Sequence, residues 1–404
     1  MKNKIYFFLI GFFLILFAFS SCEKSGTNEK TQTVTVAGLL SLTGNWSTLG
    51  VCSQAAMDIA AEDINAYMKQ TNSNYLFTTT IYDTKLDTAL AAGFINDAKV
   101  NNIQFVIGPQ SSAEVGAIKA FADANNMLVI SQGSTAGKYA IAGDNIYRFC
   151  PPDKIEGAAI AATIYKASKK GLITVARDDA GNKGLQTVTG TVFASLGGAV
   201  ANIAPYSTTT TDFSSVIAGI KTNIETFSAL YGLEGTAVYL ASFDECVQLF
   251  QQASADPVLS SVNWYGGDGV TLSAALTSDA AAAAFATATK FFAPTFGLPS
   301  LPDPERQTLS DAIKSRTGIT PDAFALASYD AMWVIAFTIL NSANVQNDFN
   351  KEKSIFEKQA NSYYGVTGPT LLDDAGDRSI GSFDYWGIVN EGGAWQWKFA
   401  GKSE

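Results

Sequence analysis

Residues 34–50, VTVAGLLSLTGNWSTLG, decide the fold of this chain. The first seven are uncharged and mostly apolar or β-branched, which is typical of a buried parallel strand. The next ten form a loop with two glycines and four hydroxyl side chains, and residues 51–68 then carry apolar side chains at helical spacing. A strand that enters a helix through a polar loop places helix N–H groups at the carboxyl edge of a sheet. Small ligands bind at that edge in open α/β proteins.

The same alternation of short apolar strands and helices continues along the chain, breaks at residues 150–153 (CPPD) and then restarts. Strands are predicted at 75–82, 103–107, 127–130, 145–149, 172–177, 199–204, 236–241, 262–265 and 290–293. Helices are predicted at 89–101, from Ser111 onward, and at 184–196, 213–226, 244–254, 273–289, 302–316, 321–342 and 351–362, with a closing hairpin at 382–399. This pattern predicts two α/β domains, each with a mainly parallel sheet.

Composition excludes several classes of function. The 404 residues are 47% hydrophobic and 16% charged, which indicates a globular chain. The 27 Lys and Arg residues against 37 Asp and Glu residues give a net charge of −10, which disfavours nucleic acid as a partner. The sequence contains no histidine. Ser-His-Asp triads, Cys-His dyads and the H-E-x-x-H zinc site are therefore excluded.

The N-terminus has the pattern of an export signal. Lys2 and Lys4 precede a 15-residue apolar run, residues 5–19, which is short for a membrane span of about 20 residues. Two serines and Cys22 follow, as in bacterial lipoprotein signals, which predicts that Cys22 is lipidated. The alternative is an ordinary signal peptide with an unmodified Cys22. Residues 23–32 have no apolar side chain and fit a tether.

Three further cysteines, Cys52, Cys150 and Cys246, would lie in an oxidising compartment. They allow at most one disulfide within the chain, and the sequence leaves open which pair forms it and whether any does.

The order of several short motifs resembles the type I periplasmic binding proteins, and within them the branched-chain amino-acid (Leu/Ile/Val) binding group of ABC importers. The resemblance covers nearly all of residues 34–399. The motifs that carry it are LSLTG (40–44), AAEDIN (60–65), VIGP (106–109), VIS (129–131), YRF (147–149), GGDG (266–269) and ASYDA (327–331).

This resemblance implies two Rossmann-like α/β lobes with mainly parallel sheets, joined by a three-crossing hinge. The crossings are expected near residues 149–152, 291–295 and 378–382. The implied division is a signal peptide (1–21), a lipidated cysteine and tether (22–33), lobe one (34–149 and 294–377) and lobe two (150–293 and the hairpin 378–404). The acidic turn 373–377 (DDAGD) is expected to be a plain turn rather than a calcium site.

The resemblance also implies a ligand site between the lobes. A ligand carboxylate would be held in lobe one by Ser112 and Thr135, with the Gly133 carbonyl accepting the ligand ammonium. Ser134 is expected to be a ligand-binding residue as well. Lobe two would contribute Asp268 to the ammonium, with Asp153 near the hinge. Three departures from the family pattern concern the ligand's identity. Phe243 stands where the family has an aromatic residue that carries a hydroxyl, and residues 181–184 are GNKG where the family has Tyr-Gly-x-Gly. Leu49, three residues after Trp46, stands where the family has an aromatic side chain.

Ser111 and Glu114 form the pattern of a capping box, so Ser111 is expected to cap a helix. Ser112 is then free for a ligand, and replacing it is expected to weaken binding and to leave the fold intact.

The sequence therefore predicts a monomeric, lipid-anchored receptor on the periplasmic side of a bacterial membrane or at the cell surface. It would deliver an amino acid or a similar polar ligand to an ABC importer, without a cofactor or metal and without enzymatic activity. One alternative is a sensory module of the same fold. Another is a carboxylate-dependent hydrolase using the pair at 178–179 or at 373–374, although adjacent acids rarely face one substrate.

Overall fold

The computed structural model describes residues 30–342, 344–345 and 348–403. The predicted export signal, Cys22 and most of the tether lie outside these residues. The first strand begins at Gln32, where its N–H donates to the Asn74 carbonyl, so the end of the predicted tether is already part of a sheet.

The strands, in chain order, are β1 (Gln32–Leu40), β2 (Tyr75–Asp83), β3 (Phe105–Ile107), β4 (Leu128–Ser131), β5 (Ile146–Arg148), β6 (Gly171–Ala176), β7 (Ala199–Asn202), β8 (Thr236–Ala241), β9 (Asn263–Gly266), β10 (Phe292–Phe296), β11 (Tyr364–Gly365), β12 (Gly368–Pro369), β13 (Phe383–Glu391) and β14 (Ala394–Lys402). The α-helices are α1 (Ser47–Gln70), α2 (Thr88–Val100), α3 (Ser112–Ala124), α4 (Asp153–Lys166), α5 (Ala180–Ser195), α6 (Ser214–Tyr231), α7 (Cys246–Ala253), α8 (Ala274–Ser278), α9 (Ala280–Ala288), α10 (Pro304–Thr317), α11 (Ala323–Ser342) and α12 (Phe349–Ser362).

The first sheet has five strands in the order β2-β1-β3-β4-β5, and every neighbouring pair is parallel. The second has seven strands in the order β14-β13-β10-β9-β8-β6-β7. It is parallel from β10 to β7, and the C-terminal hairpin adds two antiparallel strands at its edge. The predicted α/β fold with mainly parallel sheets is confirmed.

Side chains of the first sheet alternate between two cores. Val106 and Val129 pack with α2 and α3 on one face. Their neighbours Ile107 and Ile130 pack with α1 and α11 on the other. Successive residues of a strand point to opposite faces, so strands covered by helices on both sides need apolar residues at consecutive positions.

The chain passes between the sheets three times: between β5 and α4, after β10, and between β12 and β13. The sequence analysis placed the second crossing near residues 291–295 and began the return to lobe one at residue 294. All of β10 belongs to the second sheet instead, since Phe292 pairs with Tyr265 of β9 and Phe296 pairs with Phe383 of β13. The crossing therefore follows Phe296.

Helix α11 is the one helix among the described residues that is long and apolar enough to cross a membrane. Within its most apolar window 78% of the residues are buried inside the protein, against α1 and α12 among other elements. It is therefore a core helix.

The alanine-rich segment predicted as one helix at 273–289 forms two, α8 and α9. Asp279 separates them in an extended conformation, and its Oδ1 accepts the N–H of Ala282 at 2.9 Å. An aspartate that caps the next helix competes with continuation of the preceding one, which explains the break.

Candidate functional site

The loop between β1 and α1 reaches across the cleft between the two lobes. Trp46 precedes α1 in a left-handed backbone conformation, with φ 60° and ψ 25°. Its N–H donates to Oδ2 of Asp244 at 2.7 Å, and its ring centroid lies 4.8 Å from that of Phe243. Asp244 and Phe243 follow β8 in the second lobe. A conformation that is uncommon for tryptophan is therefore held by contacts between the lobes.

Gly133, which follows β4, packs with its backbone against this loop. A Cβ atom at position 133 would lie 2.8 Å from the Gln110 carbonyl oxygen, 3.1 Å from Cη2 of Trp46 and 3.4 Å from Cδ2 of Leu49. The site has no room for a larger residue here. The structure thus places Trp46, Leu49 and Gly133, three residues that the sequence analysis named as candidate ligand contacts, next to one another.

The start of α3 forms the next part of the site, and its predicted capping box is confirmed. The Ser111 hydroxyl oxygen accepts the N–H of Glu114 at 3.3 Å, and the Ser111 N–H donates to Oε2 of Glu114 at the same distance. The helix therefore begins with its first N–H groups directed towards the carboxyl edge of the sheet.

Ser112 has a structural role that the sequence analysis missed. Its Oγ accepts the backbone N–H of Thr135 at 3.2 Å and that of Ala136 at 3.1 Å, and it lies 3.1 Å from Oγ of Ser134. The hydroxyl therefore holds the loop after β4 in place. The Ser134 hydroxyl donates to this oxygen as well, so the hydrogen of Ser112 itself remains to be donated to a ligand oxygen.

This geometry corrects the expectation that replacing Ser112 leaves the fold intact. We expect Ser112→Ala to lower the free energy of unfolding by about 1–3 kcal/mol, because buried N–H groups of the 134–136 loop lose their acceptor. Ser111→Ala should cost about 0.5–2 kcal/mol through loss of the cap. Urea denaturation of both variants measures the difference. A Ser112→Ala variant as stable as the wild type would restore the original expectation.

The N-terminus of α5 faces that of α3 from the other lobe. Asp179 caps α5 by accepting the Asn182 N–H at 2.9 Å. A Cβ atom on Gly181 would lie only 3.4 Å from Oγ of Ser112. Two helix N-termini therefore converge on one point, where their dipoles favour a negatively charged group.

Acidic side chains form the second-lobe wall of the site. Asp153 lies in the first turn of α4, and its N–H donates to the Thr135 carbonyl at 2.9 Å, which ties it to the loop of the first lobe. Asp268 follows β9, and its N–H donates to Oε1 of Glu156 at 3.1 Å. All three carboxyl groups are buried.

Burial raises the pKa of these carboxyl groups because it disfavours their charged form. The pKa of Asp153 is raised to about 7, mainly by burial. That of Asp268 is raised to about 8, by burial and then by the negative charge of Asp153. The site therefore contains acids that titrate near neutral pH, as functional sites often do.

Charged groups at the mouth of the cleft neutralise one another. Nε of Arg177 lies 3.0 Å from Oδ2 of Asp179, and its Nη1 lies 3.3 Å from Oε2 of Glu245. Asn45 of the first lobe donates to the same Glu245 oxygen at 2.9 Å. This network links the lobes.

These elements enclose a small cavity. Its lining residues are Trp46, Ser111, Ser112, Gly133, Thr135, Gly181, Asn182, Leu185, Phe243 and Asp268. Among these described residues none is a lysine or an arginine. One side offers hydroxyl and helix N–H donors, and the other offers carboxyl groups. The polarity of this lining matches a small molecule with an anionic end and a cationic end. The lobes leave a space of only about 10 Å³ between them, so they have to separate to admit such a molecule.

Of the residues predicted from the sequence, Trp46, Ser112, Gly133, Thr135, Phe243 and Asp268 line this cavity. The others lie beside it: Leu49 against Gly133, Ser134 against Ser112, and Asp153 against Thr135. Cys22 lies outside the described residues.

The residues that sequence reasoning missed are Ser111 as a lining residue, Gly181, Asn182 and Leu185 of α5, and Glu156. The GNKG segment had been noted only as a departure from the family pattern. Its position at the start of a helix was the signal that could have found the α5 residues.

The acid pairs considered for a hydrolase have other roles. Asp178 pairs with Lys183 at 2.5 Å in solvent, and Asp179 caps α5. Oδ1 of Asp373 accepts the N–H groups of Ala375 and Asp377 within a turn.

The sequence left open whether two of the three remaining cysteines form a disulfide. Within the part of the chain that the structure describes, Cys52, Cys150 and Cys246 are each buried and unpaired. Within residues 30–342, 344–345 and 348–403, no three acidic or cysteine side chains are arranged so that they could hold a metal ion.

Comparisons with known proteins agree with this fold. The chain is 26% identical over 398 residues to an uncharacterized protein of Methanocaldococcus jannaschii, covering 95% of this chain and 92% of that protein. A leucine binding protein, LivK, from Thermotoga maritima has a similar structure, with a TM-score of 0.73, 20% identity, and coverage of 92% of this chain and 98% of LivK.

Two further solved structures share the fold. LivJ of Streptococcus pneumoniae, in complex with isoleucine, has a TM-score of 0.71 and 18% identity, and the match covers 91% of this chain and 100% of LivJ. A solute binding protein of R. palustris, in complex with benzoate, has a TM-score of 0.70 and 17% identity, with coverage of 92% and 98%.

A family model described as the receptor family ligand binding region matches residues 53–391. This match includes every strand of both sheets except β1 and β14, and every cavity-lining residue except Trp46. The chain therefore belongs to the receptor family ligand binding region, the family of the type I periplasmic binding proteins.

Proposed function

We propose that this protein is a solute receptor of an ABC importer, which closes its two lobes on an amino acid or a closely related molecule. The observation that carries the proposal is the polarity of the cavity. Two helix N-termini and several hydroxyl groups supply hydrogen-bond donors to its lining, and the buried Asp268 supplies a carboxyl group, with the buried Asp153 directly beside it. A zwitterion matches both sides at once.

The ligands of similar proteins support the class of molecule. LivJ is described in complex with isoleucine, and the R. palustris protein in complex with benzoate. Both molecules carry a carboxylate, and only isoleucine adds an ammonium. The raised pKa of Asp268, caused first by burial, favours the amino acid here, because a cation would compensate a charge that burial disfavours.

A melting-temperature screen tests the proposed function. L-Leucine, L-isoleucine and other amino acids are compared with benzoate and with 4-methylpentanoate, which is leucine without its ammonium. We expect at least one amino acid to raise the melting temperature, since a ligand at 100 times its Kd stabilises the folded state by about 2.7 kcal/mol. A shift with the plain acids alone would contradict the amino-acid proposal, and no shift with any compound would contradict the receptor proposal.

Ligand binding is expected to stabilise the closed arrangement of the lobes. The contacts of Trp46 with Asp244 and of Thr48 with Ala274 join residues on opposite sides of the cleft and would be lost on opening. We expect a smaller radius of gyration in small-angle X-ray scattering when a ligand from the screen is added. An unchanged radius at saturation would exclude hinge closure.

We further propose that the receptor is lipid-anchored through Cys22 on the outer side of a bacterial membrane. The support is the apolar run at 5–19 followed by two serines and this cysteine. A radiolabelled fatty acid should be incorporated into the wild-type protein expressed in bacteria and be absent from Cys22→Ala. Equal labelling of the two proteins would rule out this anchor.

A further inference from the structure

Glu156 is a buried acid in the ligand site that neither the family motifs nor the proposed function assigns. It lies in the first turn of α4, three residues after Asp153, and is fully buried. Its Oε1 accepts the Asp268 N–H at 3.1 Å. No N–H or hydroxyl group of the described residues donates to its Oε2, and its carboxyl group lies close enough to that of Asp268 for the two to share a hydrogen bond when one carries a proton. The side chain therefore holds the backbone of Asp268 through one carboxyl oxygen, and the other oxygen accepts none of the described N–H groups.

The neighbours of Glu156 add negative charge rather than positive charge. Oδ2 of Asp268 also lacks a hydrogen-bond partner within the described residues, and the side-chain donor beside Asp153 is the neutral hydroxyl of Thr135. Three buried carboxyl groups in mutual electrostatic contact cannot all be ionised, because each charge would lose its hydration and repel the others.

The groups that face this cluster from other elements do not supply a counter-charge. Tyr239 of β8, Tyr385 of β13, Cys150, Asp179 and Asp322 are neutral or acidic. The positive charge of Arg148 acts on Asp153, but the guanidinium is already bound by Asp377 and by the Ala136 carbonyl. The charge of the cluster must therefore be balanced by protons or by a ligand.

We propose that Glu156 is a positioning residue that keeps its proton and fixes Asp268, and that a ligand ammonium displaces the proton of Asp268. This proposal rests on the proposed function and extends it. As the ammonium enters, the O–H bond of the Asp268 carboxyl breaks and the proton passes to bulk water. The ligand ammonium takes the place of the proton, so the summed charge of the Asp268 carboxyl group and its cation stays the same.

The proton balance follows from the order in which the acids ionise. The pKa of Glu156 is raised well above its usual value, by burial and then by the charges of Asp268 and Asp153. The pKa of Asp268 is raised to about 8, and burial is again the largest cause. At pH 6–7 the free site therefore carries protons on Glu156 and Asp268, while Asp153, with a pKa of about 7, is already partly ionised. Asp268 is then the group that the ammonium ionises.

This order determines the sign of the pH dependence. Below the pKa of Asp268, binding of an ammonium-bearing ligand has to release about one proton. Its affinity should therefore fall about tenfold for each pH unit below 7. A ligand with a carboxylate and no ammonium releases no proton at Asp268, so this wall adds no such dependence to its binding.

Calorimetry with L-leucine in two buffers of different ionisation enthalpy tests the proton release, with 4-methylpentanoate as the control. We expect about one proton released per leucine at pH 6.5 and none with 4-methylpentanoate. Release of no proton on binding of leucine would overturn the proposal.

Two variants of Glu156 separate positioning from direct charge contact. Glu156→Leu removes the acceptor of the Asp268 N–H and should weaken leucine binding by about tenfold or more. Glu156→Gln keeps a neutral group with an acceptor oxygen at the same place. This variant should retain most of the affinity for leucine and the release of a proton on binding. Equal loss in both variants would mean that Glu156 acts as a charged ligand contact and would refute its positioning role.

An infrared experiment on the ligand-free protein tests whether Glu156 carries a proton. Its result does not depend on the proposed function, because no ligand is added. Glu156→Gln should remove one carboxylic-acid carbonyl band at pH 7. Glu352→Gln is the control, because Glu352 is a partly buried acid that hydrogen-bonds to Gln104 and is not among the cavity-lining residues. Absence of a protonated carboxyl band that depends on Glu156 would overturn the proposal. If the band is present but no amino acid binds, the proposed function fails alone.

Discussion

Asp268→Asn is expected to lower the affinity for an amino acid by about 30- to several thousandfold. The amide keeps the shape of the side chain and removes the charge opposite the ligand ammonium. Loss of one partner from a buried charge pair costs roughly 2–5 kcal/mol, which corresponds to this range of affinity. Calorimetry with the same amino acid on the wild type and on the variant measures the change.

The same substitution should leave the folded state at least as stable. The pKa of Asp268 is raised to about 8, first by burial, so the folded state favours the protonated form. Ionisation of this group then lowers stability as the pH rises from the unfolded pKa towards 8, and the neutral amide avoids that loss. We expect the ligand-free variant to melt at or above the wild-type temperature at pH 8.

A plain carboxylic acid provides the matched ligand control. Removal of a negative charge near 4-methylpentanoate should leave its binding unchanged or make it tighter. Undiminished binding of the amino acid to Asp268→Asn would exclude the amino-acid receptor proposal for this site.

Asp377→Ala is expected to lower the free energy of unfolding by about 3–5 kcal/mol. Arg148 and Asp377 form a bidentate ion pair in which both side chains are 1% exposed. Removal of one partner leaves the other charge buried and unpaired, which is far more costly than the pair itself is stabilising. Urea denaturation of the variant measures the loss.

This ion pair also supports the ligand site. Nη1 of Arg148 donates to the Ala136 carbonyl at 2.7 Å, so the guanidinium holds the loop whose N–H groups bind Ser112. Amino-acid affinity should therefore fall together with stability in Asp377→Ala. Double replacement, Arg148→Met with Asp377→Leu, should recover much of the stability because no buried charge remains.

An exposed ion pair is the control for this experiment. Arg316 and Glu62 also form two hydrogen bonds, at 3.0 and 2.7 Å, but their side chains are 41% and 62% exposed. Arg316→Ala should change stability by less than about 1 kcal/mol, because water screens this pair. Equal losses in Arg316→Ala and Asp377→Ala would show that burial does not set the strength of the Arg148 pair.

Much of the fold was predictable because its signals are local. The strand, loop and helix of residues 34–68 follow from hydrophobic periodicity, and the start of α3 follows from the three-residue spacing of Ser111 and Glu114. The position of candidate residues at the ends of strands was also predictable, since parallel strands meet at one edge. The break between α8 and α9 was missed because Asp279 can either continue a helix or cap the next one.

The second crossing was misplaced for a different reason. Pro294 and the glycine- and proline-rich segment after it suggested that the strand ends at residue 293. In the structure Pro294 lies within β10, paired with Tyr385 of β13. A partner strand some 90 residues away along the chain extends β10, and no local pattern reports such pairing.

The sequence by itself determined the class of fold, the absence of histidine chemistry and the residues that lie at the edge of each sheet. Only the tertiary structure decided what those residues bind. Ser112 takes backbone N–H groups from positions 135 and 136, and Glu156 holds Asp268, 112 residues along the chain. Helix caps and strand periodicity depend on neighbours within a few residues. Burial, and with it the pKa of each acid, depends on every element that packs around a group, and the chain has to be folded before those elements meet.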